Sequence, residues 1–287
     1  MSEKNPITAK TKVLCLIGYP IEHSMSPIMH NAALKELNLD FIYLTFSINP
    51  KRLNLAVKGI KAFNILGFNV TMPFKQTIMK YLDEIEPFAK KIASVNTVKN
   101  NKGYLIGRNT DGVAAMKALS DVGYKIAGKN VLILGAGGAS RAITYIIAQN
   151  ANKIVIVNRT EKKAIKLANE LKKNFCIQIE GKRYSNKVVK NEIGESNLLI
   201  NATSIGLYPN IQSTPISQEH LHKDLFVYDL IYNPLETRLL KEAREAGCNV
   251  LGGLDMLVNQ GALAFEWWTG KIPNKHLMKT QIIHHIE

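Results

Sequence analysis

The chain has 287 residues, 46% of them hydrophobic and 21% charged, which is the composition of an ordinary globular protein with enough length for two domains. No apolar run is long enough to cross a bilayer, and the first residues lack the apolar centre of a signal peptide, so we expect a cytoplasmic protein with no membrane association. The formal net charge is +14, but the lysines are spread along the chain without a dense basic block. This distribution argues against a nucleic acid partner and favours small anionic ligands.

Strand and helix patterns alternate through the first part of the chain. Strands are predicted at residues 12–17, 41–48 and 66–70, with helices at 27–36 and 50–62 between them. Such alternation predicts βαβ units on a mostly parallel sheet.

Polar residues gather at the ends of these elements. Ser24 and Ser26 precede Pro27, which is a helix-start signal, so Ser26 suits an N-cap. Two hydroxyls beside a helix N-terminus would also suit a carboxylate ligand. Two further polar clusters, at 93–97 and 107–112, would each also fit a turn or a helix cap.

Lys75 ends a fourth polar cluster, which begins at Asn69. Asn69 and Thr71 alternate onto one face at the end of a strand, and Pro73 predicts a helix start. Lys75 would then lie in the first turn of that helix, where the helix dipole disfavours a cation. This position favours a functional lysine over a solvated one. Asp111 is either the cap of a helix over 113–119 or the partner of Lys75.

The stretch from Lys129 to Ala142 predicts a phosphate site. An apolar strand at 131–134 runs into three glycines, and a helical pattern over 139–149 follows. Free backbone N–H groups and the helix dipole at such a turn favour a phosphate, and Gly135 and Gly137 allow the backbone to approach it closely. The third glycine of the usual spacing is Ser140 here, so an ordinary tight turn is the alternative.

A second apolar strand, at 153–157, ends in Asn158, Arg159 and Thr160. An NAD-binding unit would carry an acidic residue here for the ribose hydroxyl, whereas arginine suits a 2′-phosphate because its planar fork meets phosphate oxygens in pairs. The pattern therefore points to NADP.

The remaining elements complete an α/β pattern. Strands are predicted at 198–201 and 225–230, and helices at 236–245, 255–268 and 273–286. Cys15, Cys176 and Cys248 are widely separated, and neither cysteines nor histidines have ligand spacing. We expect buried, reduced thiols and no metal site.

Together these motifs resemble the shikimate dehydrogenase family. The motifs run in fixed order through nearly the whole chain: Ser-x-Ser-Pro at 24–27, Asn-Val-Thr-x-Pro-x-Lys at 69–75, Val-Asn-Thr at 95–97, Asn-Thr-Asp at 109–111, the glycine turn at 135–142, Asn-Arg-Thr at 158–160, Asn-Ala-Thr-Ser at 201–204, Asp-Leu-Ile-Tyr-Asn-Pro at 229–234 and Gly-Leu-Asp-Met-Leu-Val-Asn-Gln at 253–260. The resemblance implies NADPH-dependent reduction of 3-dehydroshikimate to shikimate, and the reverse, in aromatic amino-acid biosynthesis.

The resemblance also implies a role for each matching residue. Lys75 and Asp111 would form the catalytic pair. The substrate would be held by Ser24, Ser26, Asn69, Thr71, Asn96, Tyr232 and Gln260. The cofactor would be held by Gly135, Ala136, Gly137, Gly138, Ala139, Asn158, Arg159, Thr160, Lys163, Thr203 and Met256. A solvated side chain is the alternative for Lys163, and core packing is the alternative for Met256.

The expected fold is α/β with two domains. Residues 1–110 and 253–287 would form a mostly parallel-sheet substrate domain, to which the C-terminal helices return so that Gln260 can reach the substrate. Residues 111–252 would form a Rossmann-type NADP-binding domain. Ala93 and Ala114 stand where the family often has glycine, and Leu207 where methionine is common, which we interpret as packing variation.

Other functions stay open at this point. A quinate/shikimate dehydrogenase of broader substrate or cofactor range is one, and it would be expected to carry an acidic residue at 158–160 if it preferred NAD. A non-catalytic NADP-binding or nucleic-acid-binding protein is the other, against which the intact Lys75 and Asp111 argue. The sequence also leaves open whether the chain forms a homodimer.

Overall fold

The computed structural model describes residues 6–286. Residues 1–5 and residue 287 lie outside the described part. The prediction that there is no signal peptide concerns the first of these, and residue 287 is the last of the predicted substrate domain. The chain forms two compact units. The first contains the described residues up to Asp111 together with Val258–His285, and the second contains Gly112–Leu257.

The first unit is built on a six-stranded mixed sheet. Its elements before the unit boundary are β1 (Lys12–Gly18), α1 (Ser26–Glu36), β2 (Phe41–Ser47), α2 (Leu53–Ala62), β3 (Gly67–Val70), β4 (Glu84–Ile85), α3 (Pro87–Lys91), β5 (Thr97–Asn101) and β6 (Tyr104–Arg108). The strand order is β2-β1-β3-β5-β6-β4. Strands β1, β2 and β3 are parallel, as the alternation predicts, and β4 is parallel to β6.

Strands β5 and β6 form an antiparallel hairpin that the sequence analysis missed. β5 pairs antiparallel with both β3 and β6. The motifs at its two ends, 93–97 and 107–112, look like isolated turns in the sequence because their pairing joins residues on separate strands. The hairpin places Asn96 beside Arg108, whose backbone carbonyl accepts a hydrogen bond from the Asn96 N–H at 3.1 Å.

The C-terminal helices pack on this first unit, as expected. They are α9 (Leu254–Thr269), of which the part from Val258 onward belongs to the unit, and α10 (Lys275–Ile286). The Trp268 indole donates to the carbonyl of Val98 at 2.9 Å, and Lys99 Nζ donates to the carbonyl of Trp267 at 3.0 Å. Gly67 makes room for this helix, since a Cβ there would lie 2.4 Å from the Trp268 ring.

The second unit is an all-parallel, six-stranded Rossmann sheet. Its elements before α9 are α4 (Asp111–Asp121, whose first residue belongs to the first unit), β7 (Asn130–Leu134), α5 (Gly138–Ile147), β8 (Lys153–Asn158), α6 (Glu161–Lys172), β9 (Gln178–Arg183), α7 (Asn186–Gly194), β10 (Leu198–Asn201), β11 (Phe226–Asp229), α8 (Arg238–Glu245) and β12 (Asn249–Leu251). The strand order is β12-β11-β10-β7-β8-β9, with every pairing parallel.

This strand order places the two predicted phosphate segments side by side. β7 and β8 are neighbours inside the sheet, and both are buried apolar strands, which is why they form continuous hydrophobic runs in the sequence. The helices that follow them, α5 and α6, begin at the same carboxyl edge of the sheet. Strands β9 and β12 were not predicted, because each carries a single fully buried residue and β12 is only three residues long.

Several local expectations are wrong. Cys176 is exposed, although Cys15 and Cys248 are buried. Ser26 is the first helical residue of α1 and not its N-cap, which is Met25. Ala93 has a φ of +49°, a left-handed conformation that favours glycine. The departure from the family at Ala93 is therefore a change in backbone preference and not packing variation.

Within residues 6–286, no helix is long and apolar enough to span a bilayer. The same described residues contain no group of three or more His, Cys, Asp or Glu side chains placed to hold a metal ion.

Candidate active site

Lys75 and Asp111 form a half-buried ion pair in the first unit. Lys75 Nζ lies 2.7 Å from Asp111 Oδ2, with the lysine side chain 17% exposed and the aspartate side chain 5% exposed. Of the two roles that the sequence allows for Asp111, a helix cap or the partner of Lys75, the structure shows the second. A pair with so little solvent around it is held in one geometry more firmly than a surface pair.

The backbone around Lys75 is a series of turns and not the predicted helix. The Phe74 N–H donates to the carbonyl of Thr71, and the carbonyl of Lys75 accepts from the N–H of Val95 at 2.8 Å. The Lys75 carbonyl is thus bonded to the segment before β5, and the next element is a short 3₁₀ helix, Thr77–Tyr81. The prediction that Lys75 lies in the first turn of a helix is therefore wrong. A functional role for Lys75 is supported instead by its contact with Asp111.

Asn96 fixes the second oxygen of the aspartate. Its Nδ2 donates to Asp111 Oδ1 at 2.8 Å and to Thr110 Oγ1 at 2.9 Å, and its Oδ1 accepts from the Thr110 N–H at 2.8 Å. The two carboxylate oxygens of Asp111 thus have separate partners, an amide on one and an ammonium on the other. The carboxylate is oriented and desolvated, which strengthens its interaction with Lys75.

Gln260 joins the same network from α9. Its Oε1 lies 3.4 Å from Asn96 Nδ2, and its backbone carbonyl accepts from Thr110 Oγ1 at 3.2 Å. The structure therefore brings a residue near the C-terminus into contact with the Asn-Thr-Asp motif.

Asn69 lies at the end of β3 beside this network. Its Nδ2 donates to the carbonyl of Asn96 at 3.2 Å and to Thr97 Oγ1 at 3.1 Å. Its Oδ1 accepts from the hydroxyl of Tyr43 at 2.7 Å. Sequence reasoning missed Tyr43, which reads as one more aromatic residue of a strand. Burial raises the pKa of Tyr43 well above its ordinary value, so the hydroxyl stays protonated and orients the Asn69 amide.

The two serines before α1 lie close together. The Ser26 N–H donates to Ser24 Oγ at 3.3 Å, and Ser26 is buried while Ser24 is half-buried. Thr71 is also half-buried and lies against Gly18, where an added Cβ would be 2.4 Å from Thr71 Cγ2. Glycine at position 18 therefore leaves the room that the Thr71 side chain occupies.

The glycine turn of the second unit fits a phosphate group. Gly135 has a φ of +105°, and a Cβ there would lie 2.8 Å from the carbonyl oxygen of Ala202. Around Gly137, the N-cap of α5, a Cβ would meet nothing within 4 Å, and no side chain caps the helix. The start of α5 is thus open on the side of Gly137, which leaves room for a pyrophosphate at the helix N-terminus.

Ser140 explains the missing third glycine. Its side chain is fully buried, and its Oγ donates to the carbonyl of Gly135 at 2.7 Å. The hydroxyl therefore tightens the turn from within while the open side above Gly137 stays clear.

The Asn-Arg-Thr motif lies at the carboxyl end of β8, as predicted. Asn158 Nδ2 donates to the carbonyl of Thr160 at 2.9 Å, which closes the turn into α6. Arg159, Thr160 and Lys163 are exposed, and Arg159 makes no ion pair with any residue of the described chain. An unpaired guanidinium beside the glycine turn fits the 2′-phosphate of NADP.

Asp229 holds together the loop after β10 and the loop after β11 in the second unit. It is fully buried, and it accepts hydrogen bonds from Asn201 Nδ2 at 3.0 Å, the Ile231 N–H at 3.1 Å and Thr237 Oγ1 at 2.7 Å. Burial raises the pKa of Asp229 to about 6, and these three hydrogen bonds act in the opposite direction.

The loops that Asp229 fixes carry two further predicted site residues. Thr203 Oγ1 donates to Asn201 Oδ1 at 2.7 Å, and Tyr232 lies half-buried directly after Ile231. Met256, in the first turn of α9, is 7% exposed.

The fold and these two sites define a class of protein. One unit is a Rossmann domain with an open glycine turn and an unpaired arginine. The other unit of the same chain holds a half-buried Lys–Asp pair among amides. These features define a dinucleotide-dependent oxidoreductase of the NADP type.

Comparison with known proteins gives the family. Residues 16–98 match the family "Shikimate dehydrogenase substrate binding domain", residues 113–229 match "Shikimate / quinate 5-dehydrogenase", and residues 253–283 match "Shikimate 5'-dehydrogenase C-terminal domain". The chain belongs to the shikimate dehydrogenase family.

Individual relatives are similar over almost their whole length. A shikimate dehydrogenase (NADP(+)) of Methanocaldococcus jannaschii is 47% identical over 98% of this chain and 99% of its own. A crystal structure of a shikimate dehydrogenase in complex with NADP+ is 46% identical, covers 100% of both chains and has a TM-score of 0.90. A structure of the Thermus thermophilus enzyme with NADP(H) and shikimate is 34% identical, covers 95% of this chain and 99% of its own, and has a TM-score of 0.84.

Proposed function

We propose that this chain catalyses the reversible, NADP-dependent interconversion of 3-dehydroshikimate and shikimate on the route to aromatic amino acids. The observation that carries the proposal is the Lys75–Asp111 pair, which lies within a hydrogen-bonded set of amide and hydroxyl side chains. An oriented ammonium among donors and acceptors suits a polyhydroxylated ring that must exchange a proton at one oxygen.

The cofactor is held by the second unit in this proposal. Residues Gly135 to Ala139 bind the pyrophosphate through backbone N–H groups, and Asn158, Arg159, Thr160 and Lys163 bind the 2′-phosphate. Thr203 and Met256 lie toward the nicotinamide end. NADPH, when bound, supplies the hydride, and NADP+ accepts it in the reverse direction.

Lys75 is the proton donor in the reduction and the proton acceptor in the oxidation. When the ring ketone is reduced, negative charge develops on its oxygen, and the ammonium at Lys75 Nζ stabilises that charge and donates a proton to it. In the oxidation, a neutral amine at Nζ accepts the hydroxyl proton. Asp111 Oδ2 holds Nζ in place at 2.7 Å, and Asn96 prevents the carboxylate from turning away.

The other polar residues hold the substrate. Ser24 and Ser26 bind its carboxylate near the start of α1, while Asn69, Thr71, Asn96 and Gln260 bind the ring hydroxyls. Tyr232 also belongs to the proposed set of substrate-binding residues. These groups bind parts of the substrate that do not react, so they position the ring oxygen at Lys75.

The substrate and cofactor range can be tested with purified protein. We expect the absorbance of the reduced nicotinamide to rise when shikimate and NADP are supplied. It should rise far more slowly with the other three pairs, which are shikimate and NAD, quinate and NADP, and quinate and NAD. Equal rates with quinate or NAD would instead support a quinate/shikimate dehydrogenase of broader range. No turnover with any of the four pairs would contradict an enzymatic role.

The assembly and location of the protein are part of the proposal. We propose that the protein is cytoplasmic and that it forms a homodimer. The dimer is proposed because β2 is an edge strand whose Leu44 and Phe46 side chains are 37% and 40% exposed. Light scattering on the purified protein should give about twice the 32.0 kDa mass of the chain. A mass equal to one chain at working concentration would contradict the dimer.

A further inference from the structure

Strand β9 brings a second arginine to the edge of the sheet that carries Arg159. In the parallel pairing of β8 with β9, Asn158 is the register partner of Arg183. The Tyr184 N–H donates to the carbonyl of Asn158 at 3.0 Å, so the two strand ends are joined at this point. Arg183 is thus fixed next to the turn that Asn158 and Thr160 close.

Arg183 leaves the sheet on the side of α6. Alternate residues of a strand share a face, so Arg183 is on the same face as Gly181. A Cβ at Gly181 would lie 2.4 Å from backbone atoms of Ala164 and Ile165, which places α6 directly on that face. The two residues from Gly181 to Arg183 advance the strand by about 6–7 Å toward its carboxyl end. Because α6 begins at Glu161, Arg183 lies level with the first residues of that helix.

The charges of β9 divide between its two faces. Lys182, on the opposite face, is 2.7 Å from Glu180 and 2.7 Å from Glu192, so its charge is neutralised. Arg183 is exposed and has no ion-pair partner among residues 6–286. Two unneutralised guanidinium groups, Arg159 and Arg183, therefore flank the turn at the end of β8.

We propose that Arg183 binds the 2′-phosphate of NADP together with Arg159. This inference rests on the proposed function, because it takes the turn at 158–160 as the adenosine end of the cofactor site. A 2′-phosphate carries nearly two negative charges near neutral pH, so a second arginine gives it a second charge-assisted contact. Arg183 thereby contributes to the choice of NADP over NAD, and it is not part of the sequence motif that predicts that choice.

The test uses two nucleotides that differ only in the 2′-phosphate. Binding of 2′,5′-ADP and of 5′-AMP to the full chain is measured by calorimetry for the wild type, Arg183→Ala, Arg183→Lys and Lys187→Ala. Lys187 is an exposed lysine at the start of α7. Helix α7 packs through Val189 and Ile193 on the face of β8 that carries Val155 and Val157. Asn158 is on the opposite face of that strand, so Lys187 lies on the other side of the sheet from Arg183. Its substitution therefore controls for the loss of one positive charge.

We expect Arg183→Ala to weaken 2′,5′-ADP about ten-fold or more while changing 5′-AMP less than about two-fold. Arg183→Lys should recover part of the affinity, and Lys187→Ala should match the wild type. The ratio of Michaelis constants for NADPH and NADH should rise in Arg183→Ala by the same factor. Thermal unfolding of each variant verifies that it is folded.

Arg159→Ala separates this inference from the proposed function. If Arg159→Ala weakens 2′,5′-ADP and Arg183→Ala does not, Arg183 has no part in the site and the proposed function stands. If neither substitution matters, the 2′-phosphate binds elsewhere, so this inference and the proposed role of Arg159 both fail, while the turnover assay still decides the proposed reaction. Equal weakening of both nucleotides by Arg183→Ala also overturns the inference, because the contact would then be to another part of the cofactor.

Discussion

At the scale of single residues, the site separates groups that bind from groups that react. Thr71 contacts no reacting oxygen in the proposed arrangement, so its hydroxyl should matter equally in the ground state and the transition state. Thr71→Val keeps the shape and removes one neutral hydrogen bond. We expect the Michaelis constant for shikimate to rise about three- to ten-fold with turnover nearly unchanged.

Steady-state kinetics on two variants test this expectation. Thr45→Val is the matched control, because Thr45 is exposed on β2 and should leave both constants unchanged. A fall in turnover without a change in the Michaelis constant would instead place Thr71 at the reacting oxygen.

His30 makes the first unit sensitive to acid. It is fully buried, its ring is stacked on Tyr43 at a centroid distance of 4.2 Å, and neither ring nitrogen has a hydrogen-bond partner in the described part of the chain. Burial lowers the pKa of His30 from 6.5 to about 3. The unfolded chain therefore binds a proton below pH ~6.5 that the folded chain does not, and stability is lost as pH falls through that window.

This acid sensitivity should disappear when the imidazole is removed. We expect the free energy of unfolding of the wild type to fall with a slope approaching about 1.4 kcal/mol per pH unit more than that of His30→Phe, between pH ~6 and ~4. Urea unfolding at several pH values measures the slope. His276→Phe, at an exposed histidine, should keep the wild-type slope. Parallel curves for the wild type and His30→Phe would contradict a neutral buried His30.

Ala93 is a strained residue next to the site. A left-handed conformation costs an alanine about 1–2 kcal/mol, while glycine costs about 0.5–1 kcal/mol in backbone entropy on folding. Ala93→Gly should therefore stabilise the protein by about 0.5–1 kcal/mol. Ala114, the other departure toward alanine, is buried within α4, and Ala114→Gly should destabilise by about 1 kcal/mol. Opposite signs in urea unfolding support this reading, and destabilisation by both substitutions would refute it.

At the scale of elements, Asp229 ties the end of β11 to the loop after β10. The folded state favours its protonated form, because burial raises its pKa from 3.8 to about 6. The contribution of Asp229 to the free energy of unfolding therefore falls as pH rises from about 4 to about 6, and it is constant above that window.

Asp229→Asn removes this titration and keeps the size of the side chain. We expect the wild type to lose about 3 kcal/mol relative to Asp229→Asn between pH ~4 and ~7, measured by urea unfolding. Asp224→Asn, at an exposed aspartate, should show no such change relative to the wild type. A wild type that gains stability relative to Asp229→Asn across this range would mean that the hydrogen bonds outweigh burial.

The same element scale shows what the sequence could and could not predict. The central strands β7 and β8 were predicted because a strand buried on both faces is a continuous apolar run with a clear end at glycine or arginine. The hairpin of β5 and β6 was missed because its residues are mixed in character and its pairing is set by contact with β3. Pro73 was misjudged because the carbonyl of Lys75 is bonded to Val95, a tertiary contact that no local pattern reveals.

At the scale of the whole molecule, the candidate site residues could be predicted because their motifs occur in a fixed order. Their spatial arrangement could not be predicted. Asn96 and Gln260 are separated by 164 positions in the chain, yet their amides approach within 3.4 Å. Tyr43 was missed because a buried tyrosine and a functional tyrosine have the same pattern in a strand. Arg183 was missed because its position beside Asn158 depends on the order of strands in the sheet.

Turnover and shikimate affinity of Lys75→Ala, measured on the same protein, test most directly whether Lys75 carries the proton. We expect turnover to fall about a hundred-fold or more while shikimate still binds, and Lys75→Arg to recover little because arginine has no accessible neutral form. Lys58→Ala, at an exposed lysine of α2, should match the wild type. Near-normal turnover of Lys75→Ala with weakened shikimate binding would contradict this role, make Lys75 a substrate-binding residue, and direct the search for the acid to Asp111.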